Sequence, residues 1–170
     1  MKSVMAFLFL AMLPVLAMAE SAPAAAATIV ALGASNTYGK GVARNEAYPA
    51  QLDAMLRAKG LNARVINAGI NGDTTGGMLN RLNSAVPAGT SVVILQPGGN
   101  DSRKGKIADR EGNIAAIQSR LAARGIAVIM LENSMLGGLP HQPDGEHLTP
   151  EGYRMLATAL LSQVESALRR

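Results

Sequence analysis

One aspartate and one histidine stand three residues apart near the end of the chain, in the segment Asp144-Gly-Glu-His147. A serine hydroxyl is a weak nucleophile, so acyl transfer needs an adjacent base, and the base needs a third group that fixes its tautomer. A loop of this spacing can bring a carboxylate against an imidazole, and Thr149-Pro150 is typical of a helix start that would anchor both. Taken alone, the segment is equally typical of a turn with a helix cap.

Three further segments carry the other groups that acyl transfer needs. Ser35 follows a short apolar run that is closed by a glycine, which predicts that its hydroxyl lies at the edge of a sheet; a turn serine or helix cap would look the same. Gly72 offers a backbone N–H with no side chain in the way, and Asn100 offers a side-chain amide. Together with the N–H of Ser35, these donors could form an oxyanion hole. Each residue alone is also common in turns.

The remaining polar residues near these segments have simpler interpretations. Asp73 and Asp101 flank the predicted donors, and we expect them to accept hydrogen bonds that hold their loops. No histidine spacing accompanies them, so neither a metal site nor another cofactor is predicted. His141 is the alternative base, although we expect it to be exposed in a mobile loop. Tyr38 and Tyr48 either line an acyl pocket or pack in the core.

The elements that must position these groups follow from the hydrophobic pattern. Short apolar runs predict four strands, at residues 28–33, 64–67, 91–96 and 126–131, and helical spacing predicts helices at 48–59, 74–82, 107–124 and from Thr149 to Leu168. Strands that alternate with helices imply right-handed crossovers and a parallel, flavodoxin-like sheet of about four to five strands in a three-layer α/β/α sandwich. Ligands bind beyond the carboxyl ends of such strands, where all four segments lie.

The order and placement of the four segments resemble the SGNH hydrolase family, also called GDSL-type esterases and lipases, over residues 29 to about 160. The similarity is strongest to its lysophospholipase, acyl-esterase and thioesterase branch. It implies that Ser35 is the nucleophile, that Asp144 and His147 complete the triad, and that Ser35, Gly72 and Asn100 form the oxyanion hole. The implied activity is hydrolysis of acyl esters or thioesters, such as lysophospholipids or small carboxylic esters, through an acyl-serine intermediate and without a cofactor.

Two departures from the family pattern leave alternatives open. Ala34 stands where relatives usually carry an acid before the serine, and the connection from Leu131 to Asp144 is too short for the extra helix and strand that relatives have. The site could be more open, a second subunit could supply the missing edge, or the chain could be a silent module that binds an acylated lipid or glycan. A flavodoxin-like phosphate or nucleotide binder is disfavoured, because the chain has neither a Gly-x-Gly-x-x-Gly motif nor a P-loop motif.

The chain of 170 residues has room for one domain. Residues 1–19 combine Lys2, an apolar run and Ala17-Met18-Ala19, which predicts a signal peptide cleaved after Ala19 and an exported, periplasmic or secreted protein. Residues 20–27 are expected to form a flexible lead-in, and 28–170 the hydrolase domain. Cleavage leaves fifteen Lys and Arg against twelve Asp and Glu, a net charge of +3, and there is no cysteine. The basic stretch 103–106 lacks aromatic residues, so nucleic acid is not a predicted partner; neither is a membrane span.

Overall fold

The structure is a computed structural model that describes residues 25–169, so the predicted signal peptide and most of the lead-in lie outside the described residues. Four strands form one parallel sheet, with the spatial order β2-β1-β3-β4. Their bounds are Ala27–Gly33 for β1, Ala63–Gly69 for β2, Thr90–Gln96 for β3 and Ala127–Met130 for β4. The predicted parallel sheet is therefore confirmed, at the lower end of the expected strand number.

Seven α-helices surround the sheet in the described part of the chain. They are α1 at Ser35–Tyr38, α2 at Tyr48–Ala58, α3 at Thr75–Asn80, α4 at Leu82–Ala85, α5 at Asn100–Arg103, α6 at Ile107–Ala122 and α7 at Pro150–Leu168. A short 3-10 helix at Asn133–Met135 follows β4. No helix between residues 25 and 169 has the length and apolar character needed to cross a membrane.

Side chains that alternate along the central strands feed two separate cores. Ile29, Ala31 and Ile94 face one side, where they pack with α2 and α7, and Val30 and Leu32 face the other side, where α3, α4 and α6 pack. Every apolar side chain from Ile29 to Leu32 is fully buried. Because full burial of one such side chain stabilises a fold by about 1.5–3 kcal/mol, β1 is held firmly between the two helical layers.

The strand register brings three strand ends to one level. Gly33 at the end of β1 is paired with Gly69 on β2 and with Gln96 on β3. The loops that follow these three residues therefore leave the sheet at the same height. This register places Ser35 between the segments that carry Gly72 and Asn100.

The structure departs from the predicted helices in two ways. The helix predicted at 74–82 is divided at Arg81 into α3 and α4, and the side chain of Arg81 donates hydrogen bonds to Asp73 and to the carbonyl of Gly33. The segment also contains three residues of low helix propensity, Gly76, Gly77 and Asn80. The four-residue helices α1 and α5 were not predicted, since one turn is too short to show hydrophobic periodicity.

Helix α7 begins at Pro150, three residues after His147, and is capped as predicted. The hydroxyl of Thr149 accepts a hydrogen bond from the N–H of Gly152 at 3.1 Å, and Pro150 occupies the first turn. A Cβ at Gly152 would lie 2.3 Å from the carbonyl oxygen of Pro140. The glycine is therefore needed where the loop before His147 crosses the start of α7.

Substituting two helical glycines tests this contact. Gly152→Ala is expected to destabilise the fold by about 1–3 kcal/mol, because the new methyl group displaces the Pro140 backbone. The matched control is Gly112→Ala in α6, where nothing lies within 4 Å of the added Cβ; it should stabilise the fold by up to about 1 kcal/mol. Urea unfolding of both variants measures the difference, and a Gly152→Ala protein as stable as the control would contradict the close approach.

Candidate active site

Ser35 opens helix α1 immediately beyond the end of β1. The chain can turn this sharply because Gly33 has no side chain: a Cβ there would lie 2.2 Å from the hydroxyl oxygen of Thr37 and 2.9 Å from Cβ of Gln96. The N–H groups of Tyr38 and Gly39 bond to the carbonyls of Ala34 and Ser35, which closes the short helix. The N–H of Ser35 belongs to the first turn, where backbone donors have no acceptor within the helix.

A continuous hydrogen-bonded chain joins Ser35, His147 and Asp144. The Nε2 atom of His147 lies 2.9 Å from Oγ of Ser35, and its Nδ1 atom lies 2.6 Å from Oδ2 of Asp144. The imidazole is 3% exposed, whereas the carboxylate is 44% exposed. The structure thus brings together the three side chains that the sequence singles out, across a separation of 112 residues between Ser35 and His147.

The carboxylate of Asp144 is held in its ionised form. Its Oδ1 atom accepts hydrogen bonds from the N–H of His147 at 3.0 Å and of Glu146 at 2.9 Å. The pKa of Asp144 lies well below its ordinary value, because of the backbone N–H of His147 first, the His147 side chain second and the N–H of Glu146 third. An ionised carboxylate can only accept, so Nδ1 of His147 donates to it. In the neutral imidazole, Nε2 then accepts from the Ser35 hydroxyl.

Asn36 connects helix α1 to the loop that carries His147. Sequence reasoning did not identify this residue. Its Nδ2 atom donates to the carbonyl of Glu146 at 3.0 Å, and its Oδ1 atom accepts from the hydroxyl of Tyr153 at 3.0 Å. Burial raises the pKa of Tyr153 to about 12, so this hydroxyl remains a donor at neutral pH. Asn36 therefore ties α1 both to the loop that carries His147 and to α7. The only sequence signal was an amide next to the serine.

Asn100, at the start of α5, lies on the wall of the same cavity as Ser35 and His147. Its Nδ2 atom donates to the carbonyl of Asp73 at 2.8 Å, which fixes the orientation of the amide and leaves its second N–H for another acceptor. Gly72 has a φ of 74° and accepts a hydrogen bond from Nζ of Lys104 at 2.6 Å. Gly72 is not among the residues that line this cavity, so its role as a donor stays a prediction.

Asp73 and Asp101 hold their loops, as predicted. Asp73 accepts hydrogen bonds from Nε of Arg81 at 2.8 Å and from the N–H of Thr74 at 2.9 Å. Asp101 is 1% exposed and accepts from the hydroxyl of Thr75 at 2.7 Å. Among residues 25–169, no three carboxylate, imidazole or thiol groups are arranged so that they could hold a metal ion.

The other candidates named from the sequence lie outside the cavity at Ser35. His141 is half-buried rather than exposed, because its Nδ1 atom lies 2.7 Å from the carbonyl of Leu139 and its backbone pairs with Leu148. The expectation of an exposed side chain is therefore wrong. Tyr48 is fully buried in the core, with its pKa raised above the ordinary value by burial, and Tyr38 packs under the guanidinium of Arg44. None of the three lines the cavity at Ser35.

The cavity beside Ser35 has a volume of about 210 Å³ and a largely polar wall. Leu136 and Ala34 are its main apolar groups, and Arg103 and Glu146 form an ion pair on the wall. Gln96, the last residue of β3, also lines it, and sequence reasoning had assigned it no role. Glutamine inside an apolar strand was the available signal, because a buried polar side chain needs partners.

Comparisons with known proteins identify a family and several relatives of this chain. The model of the GDSL-like lipase/acylhydrolase family matches residues 31–160. Esterase TesA of Pseudomonas aeruginosa is 29% identical over 147 residues, which are 85% of this chain and 70% of that protein. The structure of AlinE4, an SGNH-hydrolase family esterase, is 30% identical, covers 83% of this chain and 73% of its own, and has a TM-score of 0.57.

A further solved structure shows the likeness in fold. The psychrotrophic esterase EstA from Pseudoalteromonas sp. is 18% identical, with a TM-score of 0.74 over 84% of this chain and 99% of that chain. This likeness supports the three-layer α/β/α architecture, and the family match covers most of the chain. The chain therefore belongs to the GDSL-like lipase/acylhydrolase family, with the SGNH hydrolase fold, and is an enzyme that hydrolyses acyl esters.

Proposed function

We propose that Ser35 is the nucleophile of this ester hydrolysis, with His147 as its base and Asp144 as the acid of the triad. The observation that carries the proposal is the unbroken line of hydrogen bonds from Oγ of Ser35 through His147 to Asp144, at 2.9 Å and 2.6 Å. Such a line activates a hydroxyl that is otherwise a weak nucleophile.

The mechanism follows from which atoms can donate and accept. Oγ of Ser35 attacks the acyl carbonyl while Nε2 of His147 takes the hydroxyl proton, and ionised Asp144 stabilises the imidazolium. The N–H of Ser35, the amide of Asn100 and the N–H of Gly72 donate to the oxyanion. His147 then protonates the leaving alcohol or thiol, and the acyl group stays on Ser35. Water attacks this acyl-serine with His147 as base, which releases the carboxylic acid.

The size and polarity of the cavity favour a short acyl group. Its volume of about 210 Å³ is below the range of about 300–1,000 Å³ that is usual for pockets that enclose drug-sized ligands. Its wall carries amides, a guanidinium and a carboxylate, and Leu136 is the largest apolar contributor. We therefore assign small carboxylic esters as substrates in preference to long-chain lysophospholipids or acyl thioesters.

Export belongs to the same proposal. Lys2, the apolar run up to Ala17 and the Ala17-Met18-Ala19 segment support a signal peptide that is removed before Glu20. The enzyme would then act on esters outside the cytoplasm.

A chain-length series tests both the nucleophile and the substrate class. Nitrophenyl acetate should be hydrolysed with the highest kcat/KM, and butyrate, octanoate and palmitate with decreasing values, because longer chains find no apolar wall. A lysophospholipid should be a poor substrate. Ser35→Ala should lower kcat about 10⁶-fold for every ester that the wild type hydrolyses, the scale seen when a triad serine is removed. Equal rates for Ser35→Ala and wild type would remove the triad assignment, and a maximum at palmitate would overturn the short-acyl assignment.

Removal of the Asn100 amide tests the oxyanion hole. Asn100→Ala should lower kcat about 100- to 1,000-fold, as loss of one oxyanion donor does in other hydrolases, with a smaller change in KM. The matched control is Asn133→Ala, since Asn133 lines the same cavity from the 3-10 helix but is assigned no donor role. Steady-state kinetics on nitrophenyl acetate compare the two variants, and similar kcat values for them would argue against Asn100 as a donor.

Asp144→Asn tests the carboxylate by activity and by stability. The amide should lower kcat about 10⁴-fold, because it no longer fixes the His147 tautomer. The lowered pKa of Asp144 means that folding favours its ionised form. Its contribution is complete above the unfolded pKa of about 3.9 and is lost as the pH falls through the lower folded pKa.

The unfolding free energy of wild type relative to Asp144→Asn should therefore shrink on acidification below about pH 4 and stay level above that pH. Urea unfolding at a series of pH values measures this difference. A difference that grows toward acid pH would show that the pKa is raised rather than lowered.

A further inference from the structure

Gln96 ends the central strand β3 at the level of Gly33, and its side chain is almost completely buried at 2% exposure. Its Oε1 atom accepts hydrogen bonds from the N–H of Ala34 and from the hydroxyl of Thr37, both at 3.2 Å. These two donors stand on either side of Ser35 in the sequence. One carboxamide oxygen on a neighbouring strand thus accepts hydrogen bonds from residues just before and just after the serine.

We propose that Gln96 is a positioning residue for Ser35, which sets the height and direction of its hydroxyl over the sheet edge. The inference deepens the proposed function, because it rests on Ser35 being the nucleophile. Ala34 has no side chain that could accept a hydrogen bond, so the acceptor that steadies the start of α1 comes from β3 instead. The site is thereby held from a strand that is buried on both faces.

The surroundings of Gln96 leave little freedom for another arrangement. Thr37 and Tyr48 are both 0% exposed, and the two hydroxyl oxygens lie 3.4 Å apart. Gly33 fits between Thr37 and Gln96 only because it lacks a Cβ. If Oε1 were lost, the hydroxyl of Thr37 could turn to Tyr48, but the N–H of Ala34 would remain buried without an acceptor. An unpaired buried donor is costly, so the chain before Ser35 would move.

Gln96 also borders the cavity beside Ser35. It lines this cavity together with Ser35, Asn100 and His147, and a Cβ at Gly98 would lie 3.4 Å from its Nε2 atom. A shift of the carboxamide would therefore be felt on both sides of Ser35. The expected consequence is a change in the alignment of the nucleophile rather than in the binding of the acyl group.

Two substitutions at Gln96 separate the acceptor from the shape of the side chain. Gln96→Met keeps the length and removes the acceptor, and it should lower kcat about 100-fold, the scale expected for a nucleophile displaced by about 1 Å. KM for nitrophenyl acetate should change less than threefold. Gln96→Glu keeps an oxygen that can accept both hydrogen bonds, so its kcat should stay within about tenfold of wild type. The rate of covalent labelling by a fluorophosphonate should fall and recover in parallel with kcat.

The outcomes distinguish positioning from support of the fold. Wild-type kcat in Gln96→Met, or a Gln96→Glu protein as slow as Gln96→Met, would overturn the proposal. So would a drop in kcat that is matched by the fraction of unfolded protein in urea titrations. If Gln96→Met does not fold, Thr37→Val removes one of the two donors without changing the shape, and a tenfold lower kcat is then expected, against an unchanged value if the proposal is wrong.

The role of Ser35 and the role of Gln96 are tested by separate measurements. Hydrolysis and labelling by the wild type, and their loss in Ser35→Ala, report on the nucleophile itself. The ratio of each Gln96 variant to wild type reports on positioning. If Ser35→Ala hydrolyses esters as well as the wild type does, both proposals are wrong. If Ser35→Ala is inactive, the kcat of each Gln96 variant relative to wild type decides the role of Gln96.

Discussion

The hydrogen bond between Nε2 of His147 and Oγ of Ser35, at 2.9 Å, is the contact on which the site depends, because it joins two segments that are 112 residues apart in the sequence. Ser35 is fixed by the first strand, whereas His147 belongs to the loop before the last helix. Neither partner can be displaced by much more than a few tenths of an ångström without losing the bond. The elements on both sides therefore have to be rigid, and the structure makes them so in different ways.

On the serine side, rigidity comes from the sheet. β1 lies between β2 and β3, its apolar side chains are fully buried, and Gln96 holds the chain around Ser35 from the neighbouring strand. On the histidine side, it comes from α7 and its cap, from the Asp144 carboxylate that accepts two backbone N–H groups, and from Asn36. Asn36 connects the two sides directly, since it follows Ser35 in the sequence and donates a hydrogen bond to the backbone of the loop that carries His147. These hydrogen bonds connect the segment around Ser35 to the loop of His147 and fix how the two are arranged.

Sequence reasoning predicted the four strands and the residue types at their carboxyl ends, because hydrophobic runs closed by glycine are local signals. It also predicted the neighbourhood of Ser35, His147, Asp144 and Asn100, since parallel strands bring their ends to one edge. It did not predict Gln96 or Asn36, whose partners lie 62 and 110 residues away and depend on side-chain direction and strand register. The half-burial of His141 was also missed, because it accompanies an isolated backbone bridge to Leu148 that no hydrophobic pattern indicates.

The short connection between Leu131 and Asp144 forms part of the cavity beside Ser35. It contains one 3-10 helix and a loop, and it supplies one polar and one apolar residue to the wall, Asn133 and Leu136. The same connection still delivers Asp144 and a nearly buried His147 to Ser35 within a single chain. The connection therefore borders the space beside Ser35, while Ser35 itself is held by β1 and β3 and the loop of His147 is held by α7 and its cap.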